Sequence, residues 1–249
     1  ATELTTGQLT SLIAYAMNIL NCLMMLSMVM VMINMARASS ERIVEILDEE
    51  SSLKNRENPV CEMKNGEIIF KNVGFSYVDD KDKECLKNIS LTVKSGSTLG
   101  IIGGTGSGKT SLVQLIPRLY DVTEGSIEIG GVDVRDYDLF TLRNEVAVVL
   151  QKNVLFSGTI KENLRWGNKN ASDEEIIHAC KLAQADSCVE TFPRKYNTYI
   201  EQGGTNVTGG QKQTLCIARA LLKKPKILIL HDSTSAVDTR TDALIRQGF

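Results

Sequence analysis

The chain lacks a cysteine framework, a basic bias and any low-complexity tract, and each absence removes a class of protein. Its six cysteines, Cys22, Cys61, Cys85, Cys180, Cys188 and Cys216, include no CxxC pair. Neither a zinc site nor a disulfide scaffold is expected, and reduced thiols of a cytosolic compartment fit better. Twenty-eight basic against 30 acidic residues leave a net charge of −2, with no surplus of cations to neutralise a phosphate backbone, so nucleic acid is not an expected partner. No internal repeat is visible. The sequence opens on Ala1, and no charged n-region with a cleavage site precedes its first apolar stretch. A signal peptide is therefore not expected, and the sequence is expected to begin inside a longer protein. What remains is 249 residues, 43% hydrophobic and 23% charged, enough for one large or two ordinary domains with a real core.

Charge is missing altogether from Leu12 to Met35, "LIAYAMNILNCLMMLSMVMVMINM". At about 1.5 Å per residue such a helix reaches across the roughly 30 Å hydrocarbon core of a bilayer, and we expect a transmembrane helix here. A buried helix of a soluble domain is the alternative. Asn18, Asn21, Ser27 and Asn34 lower the hydropathy and would face protein or water rather than lipid. Seven of the eight methionines lie in this run; packing explains them more simply than cargo binding. Helical spacing continues through Ile43, Val44, Ile46 and Leu47 while Arg37, Glu41, Arg42 and Glu45 appear, so the helix is expected to leave the membrane into the cytosol. Residues 1–50 then form a membrane helix with its cytosolic extension, and 51–66, polar and without period, a linker.

Beyond the linker, "GEIIFKNVGFSY" and "CLKNISLTV" read as strands, "SIEIGGVDV" as a hairpin turning at Gly130 and Gly131, "EVAVVL" as a buried strand and "ILIL" as a buried strand of a parallel sheet. Helical patterns alternate with them. One opens at Ser172 with Glu175 three residues on, a capping box, and carries His178 as a surface residue. The fold class expected for 67–249 is α/β.

Between a strand pattern and a helix pattern stands Gly103-Gly104-Thr105-Gly106-Ser107-Gly108-Lys109-Thr110, a full GxxxxGK[ST] phosphate loop. Its glycines let backbone N–H groups wrap phosphates, Lys109 can meet the β and γ phosphates, Thr110 can ligate Mg²⁺, and Ser111 completes the nucleotide-binding set. A nucleoside triphosphate is the expected ligand.

Four further stretches surround this loop: Tyr77 in "VGFSYVDD", Gln151 in "VVLQKNVLFSGTIKENL", Thr208-Gly209-Gly210-Gln211 in "NVTGGQKQ", and "ILILHDSTSAVD" ending at Asp238. In order and approximate spacing they resemble the nucleotide-binding domain of an ABC transporter, most closely one half of a multidrug or lipid exporter. The resemblance covers nearly the whole chain. It implies a P-loop ATPase with a β-subdomain and a helical subdomain, ATP and Mg²⁺ as cofactors, and a cell-membrane, multi-pass protein with its ATPase domain in the cytosol. It also implies that Tyr77 stacks on adenine, that Gln151 meets Mg²⁺ or the attacking water, and that the 208–211 signature faces the ATP of a partner half, with Asp238 in the loop touching that partner. Taken alone, Tyr77 is equally a packing residue, Gln151 a loop residue, and Thr208 a helix cap. Thr214 stands where the family commonly has an arginine.

The same likeness places His231 where the family has the aspartate that helps hold Mg²⁺, and Asp232 where it has the glutamate that polarises water. Mg²⁺ prefers oxygen ligands, and a carboxylate one methylene short misses by about 1.4 Å, where an error of about 1 Å costs on the order of a hundredfold in rate. The expectation is a weakly hydrolysing half that pairs with an unlike, competent half and moves a small-molecule or lipid cargo. Two plainer readings stay open: Asp232 holds Mg²⁺ with the frame locally shifted, or His231 is drift. At the level of the whole molecule, a soluble ABC-type ATPase switch and an inactive gene fragment are the alternatives. The family's downstream strand and five earlier membrane helices are not in the sequence, so a fragment is expected.

Overall fold

The computed structural model describes residues 5–78, 83–231, 241 and 243–245. The chain divides into two compact units, residues 1–52 and 53–249.

The first unit is one helix, α1, Thr6–Leu47. Thr5 caps it: its side chain accepts from Gln8 N while Gln8 Oε1 accepts from Thr5 N at 3.0 Å. With neither glycine nor proline from Gln8 onward, nothing interrupts the backbone ladder, and the apolar stretch runs directly into the charged one, where Arg37 and Glu41 pair one turn apart. None of its residues is buried. Leu12, Met25 and Ile33 are all more than half exposed, an apolar surface that water does not tolerate on this scale. By length and composition α1 can cross a membrane.

In the second unit, residues 53–66 have no regular structure yet are pinned to it. Asn55 Nδ2 donates to Asp138 Oδ2 at 2.6 Å, Arg56 pairs with Asp136, Val60 N donates to Asp136 O, and the buried Met63 accepts from Lys226 Nζ through its carbonyl. Strand β1 (Ile68–Phe75) is central in an antiparallel sheet, flanked by β2 (Leu86–Val93) and β3 (Glu124–Ile129), with β4 (Val132–Asp133) beyond β3. The β3–β4 turn is Gly130-Gly131, both at positive φ, which a two-residue hairpin of the twisted type requires. Tyr137 closes this layer from below, donating its buried hydroxyl to Ile129 O at 2.9 Å.

The second sheet pairs β5 (Val146–Val149) with β8 (Ile227–Leu230) in parallel, as the apolar run of β8 predicts. Their side chains alternate between two cores. Val146, Ile227 and Ile229 pack with the antiparallel sheet, with α2 (Lys109–Leu115) and with α3 (Leu139–Glu145); Val149, Leu228 and Leu230 pack with a helical cluster. That cluster holds α4 (Ile160–Arg165), α5 (Asp173–Leu182), α6 (Asp186–Thr191) and α7 (Gly209–Leu222), beside the short pair β6 (Gly158–Thr159) and β7 (Tyr199–Ile200). Helix α5 begins at the expected Ser172–Glu175 capping box, and His178 is exposed on it.

One expectation fails. The run "STLGII" leading into the phosphate loop forms no strand; Leu99 and Ile101 are more than 40% exposed and Ile102 is 99% exposed. A buried parallel strand needs a partner edge, and among the described residues no strand pairs with this one.

Two outcomes follow from this packing. Gly125 sits at φ +76, where an added Cβ would lie 2.2 Å from Lys71 O and 2.4 Å from Asn72 O, whereas Gly131 at φ +81 has open space. Gly125→Ala is expected to cost about 3 kcal/mol or more and to lower the thermal midpoint by roughly 6–12 °C, with Gly131→Ala costing about 1 kcal/mol, both read by calorimetry. Burial pushes the Cys180 thiol up to about 12, so little thiolate is available. At about pH 8, iodoacetamide followed by mass spectrometry should label the exposed Cys61 and Cys85 well before Cys180, which should react only on unfolding.

Candidate functional site

The phosphate loop opens into α2 through Gly108, whose φ of +80 and closeness to Cys85 O and Leu86 leave no room for a side chain. Gly106 is also left-handed, at φ +83, and both Gly104 and Gly106 face open space. Lys109 folds back over the loop. Its Nζ donates to Gly103 O and Gly104 O at 2.7 Å each and lies 3.3 Å from Ser107 Oγ, so the ammonium is held over the glycines without a carboxylate partner in that set. Thr105 completes the turn. Ser111 is buried one residue after Thr110, and its Oγ lies 3.0 Å from the Tyr77 hydroxyl, which is equally close to Gln114 Oε1.

Tyr77 comes from the loop after β1, 34 residues away from Ser111. Its ring meets Phe75 and Tyr120 edge-on, at centroid distances of 4.7 and 5.1 Å. These contacts fix the ring while leaving Tyr77 49% exposed.

The β5–β8 pairing brings two more candidates to one edge. Gln151 is exposed just after β5, and His231 follows β8 directly. The ladder extends past the strand end, with His231 N donating to Val149 O at 2.9 Å, and the imidazole Nε2 lies 2.8 Å from Thr110 Oγ1. Asp232 and Asp238 lie outside the described residues.

Thr208 caps α7. Its N–H donates to Gln211 Oε1 at 2.9 Å and its hydroxyl accepts from Gln211 N, leaving Gly209 and Gly210 as the first two helical residues. A hydroxyl followed by two glycines starts the helix with an uncovered backbone. Thr214 is buried and returns its own hydroxyl to Gln211 O at 3.2 Å. Burial pushes the neighbouring Cys188 thiol up, against a hydrogen bond from the Gln211 side chain.

Comparison with known proteins decides the family. Residues 86–235 match the family model described as ABC transporter. The chain belongs to the ABC transporter family. Over 242 residues this ABC chain is 44% identical to the uncharacterized ABC transporter ATP-binding protein YfiB of Bacillus subtilis, covering 97% of itself and 42% of that protein. It is 40% identical over 246 residues to the putative multidrug export ATP-binding/permease protein YgaD of the same organism, again 42% of that protein. Among solved structures, a bacterial Atm1-family ABC exporter with ATP bound superposes with a TM-score of 0.85 at 33% identity, over 99% of this chain and 43% of that one. The chain thus spans less than half the length of these relatives. Its fold is the P-loop ABC ATPase domain, mixed α/β, behind one long helix.

One residue of the site carried no signal in the sequence. Asn163, buried in α4, accepts from Phe156 N at 2.8 Å and donates to Phe156 O and Thr159 O, tying down the ABC domain's loop after Gln151. In the sequence it is one polar residue of "TIKENL". For the cap of α7, Thr208→Ala is expected to cost about 1 kcal/mol and to speed amide exchange in the first turn of α7, read by hydrogen-exchange mass spectrometry, with the last turn unchanged.

Proposed function

We propose that this chain is the ATP-binding part of one half of an ATP-driven membrane exporter, a half that holds ATP and hydrolyses it weakly beside an unlike, competent partner. The observation that carries the reading is the Lys109 ammonium poised over the open Gly104–Gly106 turn in a chain whose family is settled. The residues fit a triphosphate: the glycines leave room, Lys109 supplies the positive charge, and the half-exposed Tyr77 offers an aromatic face beside the helix that follows the loop. They fit Mg²⁺ poorly. Thr110 is engaged by the imidazole of His231, which offers a nitrogen where Mg²⁺ prefers oxygen.

Bound ATP would supply the phosphoanhydride whose hydrolysis drives transport. Lys109 moves from the Gly103 and Gly104 carbonyls to the phosphates, an exchange of neutral for charged acceptors that favours binding. Tyr77 stacks on the base, with Phe75 and Tyr120 keeping it upright. Gln151 orients water from a loop that Asn163 anchors. Within the Thr208–Gln211 capping box, Gly209 and Gly210 present the uncovered backbone N–H groups of α7 to the nucleotide of the partner half, and Asp238 meets that partner. Asp232, shorter than a glutamate, polarises water poorly. The apolar α1 lies among lipid or sister helices, and the ATPase domain faces the cytosol. The cargo is a small molecule or lipid.

Lys109→Ala should weaken binding of a fluorescent ATP analogue by about 10- to 100-fold, the value of losing a charged hydrogen-bond donor. In single-turnover hydrolysis by the chain in nanodiscs, the double change His231→Asp with Asp232→Glu should raise the rate about tenfold or more. Unchanged binding in the first variant overturns the nucleotide site; fast hydrolysis before any change overturns the weak half.

A further inference from the structure

The 2.8 Å contact between Thr110 Oγ1 and His231 Nε2 joins two elements 121 residues apart in sequence. Thr110 belongs to the phosphate loop, and His231 is fixed by its own backbone bond to Val149 O at the end of the parallel pair. In a phosphate loop of this kind the hydroxyl is ordinarily positioned by the ion it ligates, and a carboxylate nearby repays that ion with negative charge. Here the hydroxyl is already positioned by a side chain, and an imidazole carries no negative charge in either protonation state.

We propose that this half takes nucleoside triphosphate free of any divalent cation about as well as the magnesium complex, with His231 holding Thr110 in place of the ion. The inference rests on the nucleotide-binding reading above. Three observations support it. His231 performs the ion's mechanical task, since it restrains Thr110 from a strand end whose backbone is itself bonded. The electrostatic return on admitting an ion at Thr110 is reduced, because the side chain that meets its hydroxyl is an imidazole and brings no negative charge or oxygen ligand. Finally, the Lys109 ammonium, held by neutral carbonyls and a hydroxyl, is a positive charge for the bare phosphates and a repulsive one for a cation.

The test is equilibrium binding of a fluorescent ATP analogue to the whole chain in nanodiscs, once with excess EDTA and once with Mg²⁺. The dissociation constants should agree within about threefold, and His231→Asp should make binding about tenfold or more tighter with Mg²⁺ than without, since it returns the oxygen ligand and the charge. Binding by the unaltered chain that is about tenfold or more tighter with Mg²⁺ overturns the inference while leaving the nucleotide reading intact. So does a folded His231→Asp variant whose affinity ignores Mg²⁺. If that variant does not fold, the ratio for the unaltered chain decides alone. No binding in either buffer, with helical circular dichroism intact, overturns the nucleotide reading and this inference with it.

Discussion

The parallel pairing of Val146–Val149 with Ile227–Leu230 is the contact on which the ABC domain turns. Four rungs are a short ladder, yet its two faces belong to different cores: Val146, Ile227 and Ile229 to the sheet side, Val149, Leu228 and Leu230 to the helical side. Successive residues of a strand point in opposite directions, so eight residues make a wall that each half of the domain leans against. The carboxyl end of that wall is the edge at which open α/β folds bind ligands. Gln151 and His231 leave it together, and His231 reaches Thr110.

What the sequence told and what it withheld divide along the range of the interaction. Caps and turns were legible because they are made by residues three apart: Ser172 with Glu175, Thr208 with Gln211, and the Gly130–Gly131 hairpin needed no knowledge of the rest of the chain. The phosphate loop was legible for the same reason, since its glycines and Lys109 interact within seven residues. The strands β5 and β8 could be named as buried, and β8 as parallel, because neither alternates with polar residues. The run before the phosphate loop reads as a strand and forms none, because a strand pattern states that a segment wants a partner and does not state whether an edge is there to meet it.

The contacts that build the candidate site were out of reach of any local pattern. Tyr77 meets Ser111 across 34 residues and Thr110 meets His231 across 121; only the fold creates these neighbours. Asn163 is a sharper case, because a buried amide with all its groups bonded looks in sequence like any exposed asparagine. The resemblance to ABC exporters supplied the addresses of Tyr77, Gln151 and His231, and the fold supplied the company they keep. For His231 the company is the Thr110 hydroxyl, next to the loop lysine.

Helix α1 has a mechanical meaning apart from membranes. Bends in helices occur where proline, glycine or an inserted group breaks the ladder, and from Gln8 to Leu47 this helix offers neither of those residues. At about 1.5 Å per residue it is a rod of roughly 60 Å, apolar at one end and charged at the other. A rod without a joint cannot absorb a twist along its length. Any rotation imposed on its apolar segment must therefore arrive, nearly undiminished, at Arg42 and Glu45.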